Sequence, residues 1–319
     1  MPNESPVSSV KKNFGYNIAY QVLAIVLPFI TAPYLSRVLG AEGVGVYSYS
    51  NSVASYFLLF AMLGMANHGN RTIAATPKDR VSLGRSFVNN YAIQATCGIV
   101  VTSAYLVYCA FLEVNQAVAF AQAFLVLSGV FDISWLFFGL EEFKITVIRN
   151  SVCRLAGVIA IFLFVRSPGD TWVYALIMAL STLASQVVLW GFLRQRVTLI
   201  RPNWNKIKKN IKPVLIMFIP VLSYSIYMIL DKIMLGQMAS MEEVGYFSNA
   251  EKIISIPTGI VTALGAVMLP RATNVLARGD SYGHMRYIRI SFMFVTLVEG
   301  FVCFGVSSIA TLFAPLYFG

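Results

Sequence analysis

Charged residues are scarce in this chain of 319 residues: Asp, Glu, Lys and Arg together make up only 12% of it, whereas hydrophobic residues make up 57%. Soluble globular proteins carry about 25% charged residues. Their surface helices also show a charged face, and most of the apolar segments here have none. The composition therefore excludes an ordinary soluble globular protein.

Residues that carry catalysis or bind metals are few as well. The chain has four cysteines and two histidines, and the cysteine spacing fits neither a metal site nor a disulfide framework. There is no G-x-x-x-x-G-K-[ST] loop for nucleotide phosphates and no H-E-x-x-H zinc motif. We expect no enzymatic activity, no metal and no cofactor. His68 and His284 are expected to be solvated, in or beside loops.

Long apolar segments, by contrast, fill most of the chain. Each has about 20 or more residues, which at about 1.5 Å per residue crosses a hydrocarbon layer of about 30 Å. A lipid-facing segment satisfies its own backbone polar groups only as a helix. The pattern predicts an all-α polytopic membrane protein with about nine transmembrane helices. The segments are 14–36, 44–67, 86–111, 117–140, 146–165, 172–193, 213–235, 245–269 and 290–313.

The positive charge is concentrated in every second loop, although the formal net charge is +10. Positively charged loops remain cytoplasmic, so the N-terminus and the even-numbered loops are predicted to lie inside and the C-terminus outside. The same loops are expected to contact anionic membrane lipids. This distribution favours a membrane surface over nucleic acid as the partner of the positive charge.

The loops also divide the chain. We predict a cytoplasmic tail over 1–13, a six-helix lobe over 14–193, a basic cytoplasmic linker over 194–212, and the first three helices of a second lobe over 213–319. The linker carries seven positive charges and no acid. Because the second lobe would hold half as many helices as the first, we expect the chain to be a fragment or a truncated reading frame.

A short internal repeat supports two related lobes. Residues 28–48 and 220–248 both present, in order, a proline, a cation, Leu-Gly, Val-Gly, an aromatic residue and a serine. Repeated halves are typical of secondary transporters, whose substrate site lies between them. The repeat therefore predicts a transporter.

Several ionisable residues fall within the apolar segments, where a central charge costs about 2.5–3.5 kcal/mol. They are expected to face other helices or a watery cavity. The cations are candidates for binding an anionic substrate, and three acids are candidates for coupling to an ion gradient. Alternatively, these residues pair with one another to hold helices together, or Arg37 and Lys232 extend to the interface. The candidate cations are Arg37, Arg154, Lys232 and Lys252, and the candidate acids are Asp231, Glu251 and Glu299.

Residues 131–141, with the sequence FDISWLFFGLE, resemble the D-x-x-W-x-F-x-G-x-E signature of O-antigen and polysaccharide flippases. That family belongs to the multidrug/oligosaccharidyl-lipid/polysaccharide exporter superfamily, which also contains the MATE multidrug transporters. Residues 37–43, 70–74 and 231–252 are similar to other stretches of the family. The motif positions Asp132, Trp135, Gly139 and Glu141 are expected to be architectural.

The resemblance implies a MATE-like fold of two six-helix lobes, here with an incomplete second lobe, in a bacterial plasma membrane. It implies transfer of an undecaprenyl-diphosphate-linked oligosaccharide to the outer leaflet for surface polysaccharide biosynthesis. Polysaccharide polymerase and other assembly proteins are candidate partners. On this resemblance the four candidate cations would bind diphosphate or acidic sugars. Two alternatives remain: a cation-coupled multidrug exporter of the same superfamily, and an inactive truncated remnant or assembly partner.

Overall fold

The computed structural model describes residues 6–112, 114–277 and 279–319, so residues 1–5 of the predicted tail lie outside the described residues. Across these ranges the chain is helical apart from loops, with no β-strand. The helices are α1 (Pro6–Met62), α2 (Met65–Ala74), α3 (Arg80–Ala110), α4 (Gln116–Phe131), α5 (Ser134–Gly139), α6 (Phe143–Phe164), α7 (Thr171–Arg196), α8 (Trp204–Met238), α9 (Met241–Ala277) and α10 (Ser281–Phe318).

The predicted apolar segments lie mainly within these helices, which confirms the all-α membrane class. In the described part of the chain, six helical stretches are long and apolar enough to cross a membrane. The count of about nine spans stays a prediction. The six stretches are Arg80–Ala110, Gln116–Gly139, Phe143–Phe164, Pro168–Arg196, Trp204–Met238 and Ser281–Phe318.

Helix α1 is divided at Gly40, where the backbone takes φ 70° and ψ 173°. These angles are not helical, and glycine adopts a positive φ at little steric cost. The break falls between the first two predicted segments, 14–36 and 44–67. A continuous helix of 57 residues would be about 85 Å long, far more than one bilayer crossing requires. Gly40 therefore separates two segments of membrane-spanning length.

The chain forms two compact units. The first contains the residues up to Asn17 together with Val38–Ser248, and the second contains Ile18–Arg37 together with Asn249–Gly319. The predicted division into one lobe over 14–193 and another over 213–319 stays a prediction. In the first unit, α7 ends at Arg196 and α8 begins at Trp204, so residues 197–203 form a non-helical connection.

The core of the first unit is built around aromatic side chains. Trp135 and Phe87 are almost fully buried, and their rings stack with centroids 5.5 Å apart. A second cluster surrounds Tyr105, whose hydroxyl donates to the Ala119 carbonyl at 3.0 Å. In the second unit, α10 has no buried residue, and most of its large apolar side chains are exposed, which is suited to contact with lipid.

Candidate functional site

The C-terminal parts of the two repeat copies, residues 41–48 and 241–248, meet within the first unit. Ser48 and Ser248, the last residues of the two repeated segments, are both buried, and the hydroxyl of Ser48 donates to that of Ser248 at 2.8 Å. A Cβ atom at Gly45 would overlap the Met241 carbonyl oxygen, and one at Gly245 would overlap that of Ala41. Small residues are therefore required for the two backbones to approach this closely.

These contacts are reciprocal. Gly45 touches residue 241 and Gly245 touches residue 41, while Ser48 pairs with Ser248, so equivalent positions are related by a shift of 200 residues. Two equivalent segments that exchange the same contacts are related by a local two-fold axis. The structure thus brings together the two segments in which the sequence shows the repeat, which is the relation expected of duplicated transporter halves.

One of the four candidate cations, Lys252, lies in a polar cluster of the second unit. The Lys252 ammonium donates to the Asn249 amide oxygen at 3.0 Å, and the Asn249 amide donates to the Ser36 hydroxyl at 2.9 Å. Arg37, next to Ser36, donates to the Leu316 carbonyl at 2.9 Å. Lys252 is half-buried and Arg37 is exposed. The hydrogen-bonded residues Ser36, Asn249 and Lys252, named here the Lys252 cluster, supply positive charge together with hydrogen-bonding groups.

The remaining candidate cations belong to the first unit. Arg154 is exposed on α6, and Lys232 is half-buried on α8. Asp231 is exposed beside Lys232, whose backbone N–H donates to the Asp231 carboxylate at 2.8 Å. Grouping of the four cations around one substrate stays a prediction. So does ion coupling by Asp231, Glu251 and Glu299, of which the last two lie in the second unit.

The motif residues surround a helix break that Gln94 stabilises. The Gln94 amide nitrogen donates to the carbonyls of Gly129 and Asp132 at 2.6 and 2.7 Å, and its oxygen accepts from the Trp135 indole at 2.8 Å. The Asp132 carboxylate accepts from the backbone N–H of Ser134 at 2.8 Å, at the start of α5. The carbonyls and the N–H group that the α4–α5 break leaves without a helical partner are thereby hydrogen-bonded.

Close packing explains the small and aromatic residues of the motif. Trp135 lies against Gly69 of α2, where a Cβ atom would come within 2.5 Å of the indole ring. A Cβ atom at Gly139 would lie 2.7 Å from Ile73. Glu141 follows α5 with a φ of 61°, in the left-handed region, and its side chain is exposed. Trp135 and Gly139 thus pack α5 against α2, while the architectural role of Asp132 and Glu141 stays a prediction.

Gln94 was not among the candidate residues, although the sequence contains a signal for it. Asn90 and Gln94 are four residues apart and share one face of an otherwise apolar α3. Amides within a membrane helix are tolerated when they are hydrogen-bonded, and both residues are fully buried. An amide pair at this spacing therefore indicates an internal polar network.

We predict that Gln94→Leu lowers the free energy of unfolding by about 3 kcal/mol, because the Trp135 indole and two backbone carbonyls lose their partner. Denaturant titration of the purified protein in detergent measures the loss. Thr96→Val is the matched control on the same helix, since exposed Thr96 bonds the Ala92 carbonyl one turn away. Equal stability of the two variants would contradict the prediction.

A second network surrounds Arg149, which lies near the start of the predicted segment 146–165. Only 6% of it is exposed, and its guanidinium donates to the Ser134 hydroxyl at 2.9 Å, to the Gln186 amide oxygen at 2.8 Å and to the Ser185 carbonyl. The Ser185 hydroxyl in turn donates to the Asn150 amide oxygen at 2.7 Å. This network joins α5, α6 and α7 through a buried charge.

His68 is also buried, so the expectation that it is solvated was wrong. Its exposed fraction is 7%, and its ring nitrogen Nε2 lies 3.3 Å from the Thr72 hydroxyl. Burial lowers the pKa of His68, the Asn90 side chain opposes this effect, and the positive charge of Arg71 adds to it. The folded protein therefore favours the neutral imidazole.

The lowered pKa predicts a loss of stability in acid. Between the usual histidine pKa and the lower folded value, the unfolded chain binds a proton that the folded chain does not. Stability then decreases as the pH falls below about 6.5, by at most about 1.4 kcal/mol per pH unit. Unfolding measured between about pH 7 and pH 5 is expected to show a smaller acid-induced loss in His68→Gln. An unchanged loss in that variant would refute the assignment.

Comparison with known proteins identifies the family. The chain is 25% identical over 280 residues to the Escherichia coli (strain K12) protein named "Putative O-antigen transporter", an alignment covering 84% of this chain and 66% of that protein. It is 21% identical over 315 residues to a Shigella dysenteriae protein of the same name, covering 97% and 78% respectively. The chain thus spans about two thirds of the length of the first of these relatives.

Among solved structures, the chain is similar to the MATE multidrug transporter DinF-BH. The TM-score is 0.45 at 16% identity, covering 96% of this chain and 74% of that one. The sequence model of the polysaccharide biosynthesis protein family matches residues 10–275, which is most of the chain. This chain belongs to the polysaccharide biosynthesis protein family.

Proposed function

We propose that this protein is a flippase for undecaprenyl-diphosphate-linked oligosaccharide repeat units. It moves them from the inner to the outer leaflet of a bacterial plasma membrane for O-antigen, capsule or exopolysaccharide biosynthesis. Membership of the polysaccharide biosynthesis family and two relatives named as O-antigen transporters support the proposal. The apolar helices provide the multi-pass scaffold that such transport requires.

The Lys252 cluster is the observation that carries the proposal. A diphosphate needs positive charge and hydrogen-bond donors, and an isolated charge on a membrane helix is costly. The Lys252 ammonium donates a hydrogen bond to the Asn249 amide oxygen, and the Asn249 amide nitrogen donates one to the Ser36 hydroxyl. Arg37 follows Ser36 in sequence. This chemistry suits an anionic head group that must leave water without losing all of its hydrogen bonds.

Alternating access supplies the movement. The reciprocal crossing of residues 41–48 with 241–248 is the contact that closes and opens during transport. Both segments follow loops predicted to lie outside the cell, because the positive loops and the N-terminus are placed in the cytoplasm. Closure at this crossing would shield the outer face while the substrate enters from the inner leaflet. Asp231, Glu251 or Glu299 would couple the cycle to an ion gradient.

Genetic complementation tests the function. The full chain is expressed in bacteria that lack their own O-antigen flippase, and O-antigen on the cell surface is expected to return. Membrane insertion is checked by immunoblotting of the membrane fraction. Inserted protein without surface O-antigen, and with lipid-linked units still accumulating in the cells, would overturn the proposal. Resistance to organic cations in the same cells would instead identify a drug exporter.

A further inference from the structure

A polar cavity of about 320 Å³ lies in the first unit, between the N-terminal parts of α3 and α8. Its volume is at the lower end of the range of small-ligand pockets, about 300–1,000 Å³. Three cations line it, and each is exposed to solvent. They are Arg85, Lys206 and Lys209.

Neutral hydrogen-bonding groups complete the lining. Thr76, Ser82 and Ser86 contribute hydroxyls, while Asn89 and Asn210 contribute amides. All of the lining residues lie in the described part of the chain, and none of them is acidic. Cations interspersed with hydroxyl and amide groups form the surroundings that phosphate oxygens prefer.

The cavity is held together by fixed contacts between its two helices. The backbone N–H of Asn203, which caps α8, donates to the Asn89 amide oxygen at 2.8 Å. The Asn210 amide donates to the Asn90 amide oxygen, also at 2.8 Å. Asn89 and Asn90 are buried. The cations are therefore presented by a preorganised frame, which lowers the cost of ordering them around a ligand.

The cavity adjoins an apolar surface that suits lipid. Beyond Lys209 on α8, the side chains of Ile211, Leu215 and Ile216 are exposed. A boundary between exposed apolar residues and clustered cations is where an anionic head group meets a membrane protein. The acid nearest to the lining residues in sequence is Asp79, whose carboxylate is engaged by the backbone N–H groups of Val81 and Ser82.

We propose that this cavity binds a phosphate-bearing anion, supplied either by a lipid head group or by soluble phosphate. The site lies on residues that the transport proposal does not use, and it is tested by binding alone. Its failure is therefore distinguishable from failure of the flippase assignment.

Two probes distinguish the sources. The full chain is placed in nanodiscs of phosphatidylcholine alone or of phosphatidylcholine with phosphatidic acid, and native mass spectrometry counts the retained phosphatidic acid. Thermal unfolding in the phosphatidylcholine nanodiscs, with and without inorganic pyrophosphate, measures binding of the soluble anion. Retention of phosphatidic acid identifies a lipid source, and stabilisation by pyrophosphate identifies a soluble one.

The test compares variants that remove equal charge from one helix. Lys206→Gln/Lys209→Gln is expected to weaken binding at least about tenfold, through loss of charge-assisted hydrogen bonds. Lys208 and Lys212 lie outside the cavity. The Lys208→Gln/Lys212→Gln variant should therefore bind the probe as the unaltered protein does. Ser86→Asp, which adds a repulsive charge inside the cavity, should also weaken binding. Equal binding by the two double variants, or unchanged binding by Ser86→Asp, would overturn the proposal. So would a protein that binds neither probe.

Discussion

Lys252→Ala is expected to reduce surface O-antigen to the level of cells that have no flippase. The ammonium group of Lys252 is the charged member of the cluster that also contains Asn249 and Ser36. Alanine removes both the positive charge and its donors. Charge-assisted hydrogen bonds contribute about 1.5–3 kcal/mol each, so losing two of them at the diphosphate would slow transport by about a hundredfold or more.

Arg154 in the first unit is expected to be needed for the same reason. Arg154→Ala is expected to cause a similar loss, because a diphosphate moving through a low-dielectric path needs more than one cation. Lys252→Arg is the charge-conserving comparison and should retain part of the activity. Lys208→Ala removes a cation that lies over the Trp204 ring, outside both the Lys252 cluster and the polar cavity. It should export normally.

Surface O-antigen on polyacrylamide gels measures export, and the amount of protein in the membrane fraction corrects for expression. Full surface O-antigen in both Lys252→Ala and Arg154→Ala would show that these cations do not bind the substrate. Loss of export in Lys208→Ala to the same extent would show that total charge, rather than position, controls the assay.

Composition and periodicity predicted the fold class because a membrane helix must satisfy its own backbone. That requirement produces long apolar segments that any reader of the sequence can find. The division at Gly40 was also readable, since Leu-Gly followed by charge interrupts the apolar pattern.

The internal networks could not be derived from the sequence in the same way. Gln94 accepts from Trp135 and donates to carbonyls more than 30 residues away, so its role depends on how α3 and α4 pack. Arg149 lies near the start of a predicted apolar segment, and hydropathy cannot show whether such an arginine faces solvent or faces Gln186 and Ser134. His68 was misplaced for the same reason. Burial of single polar residues depends on tertiary contacts that a linear pattern does not contain.

The crossing of the repeats gives the second large prediction. In Ser48→Cys/Ser248→Cys, mild oxidation is expected to form a disulfide and to stop O-antigen export, and a membrane-permeable reductant should restore it. The two hydroxyl oxygens are 2.8 Å apart, close enough for thiols in their place to reach the disulfide bond length of about 2.05 Å. A covalent link across the crossing would hold it closed, and alternating access cannot proceed through a contact that never opens.

Position on the helix provides the control. Ser52→Cys/Ser248→Cys moves one thiol by one helical turn, about 6 Å along α1, so it should neither cross-link nor lose activity. Each single cysteine variant should export normally, which shows that the four native cysteines do not interfere. Rapid export by fully cross-linked protein would mean that the crossing is a permanent joint between the repeats. The contacts of Gly45 with residue 241 and of Gly245 with residue 41 would then stabilise the fold without opening during transport. The movement would have to occur elsewhere in the chain.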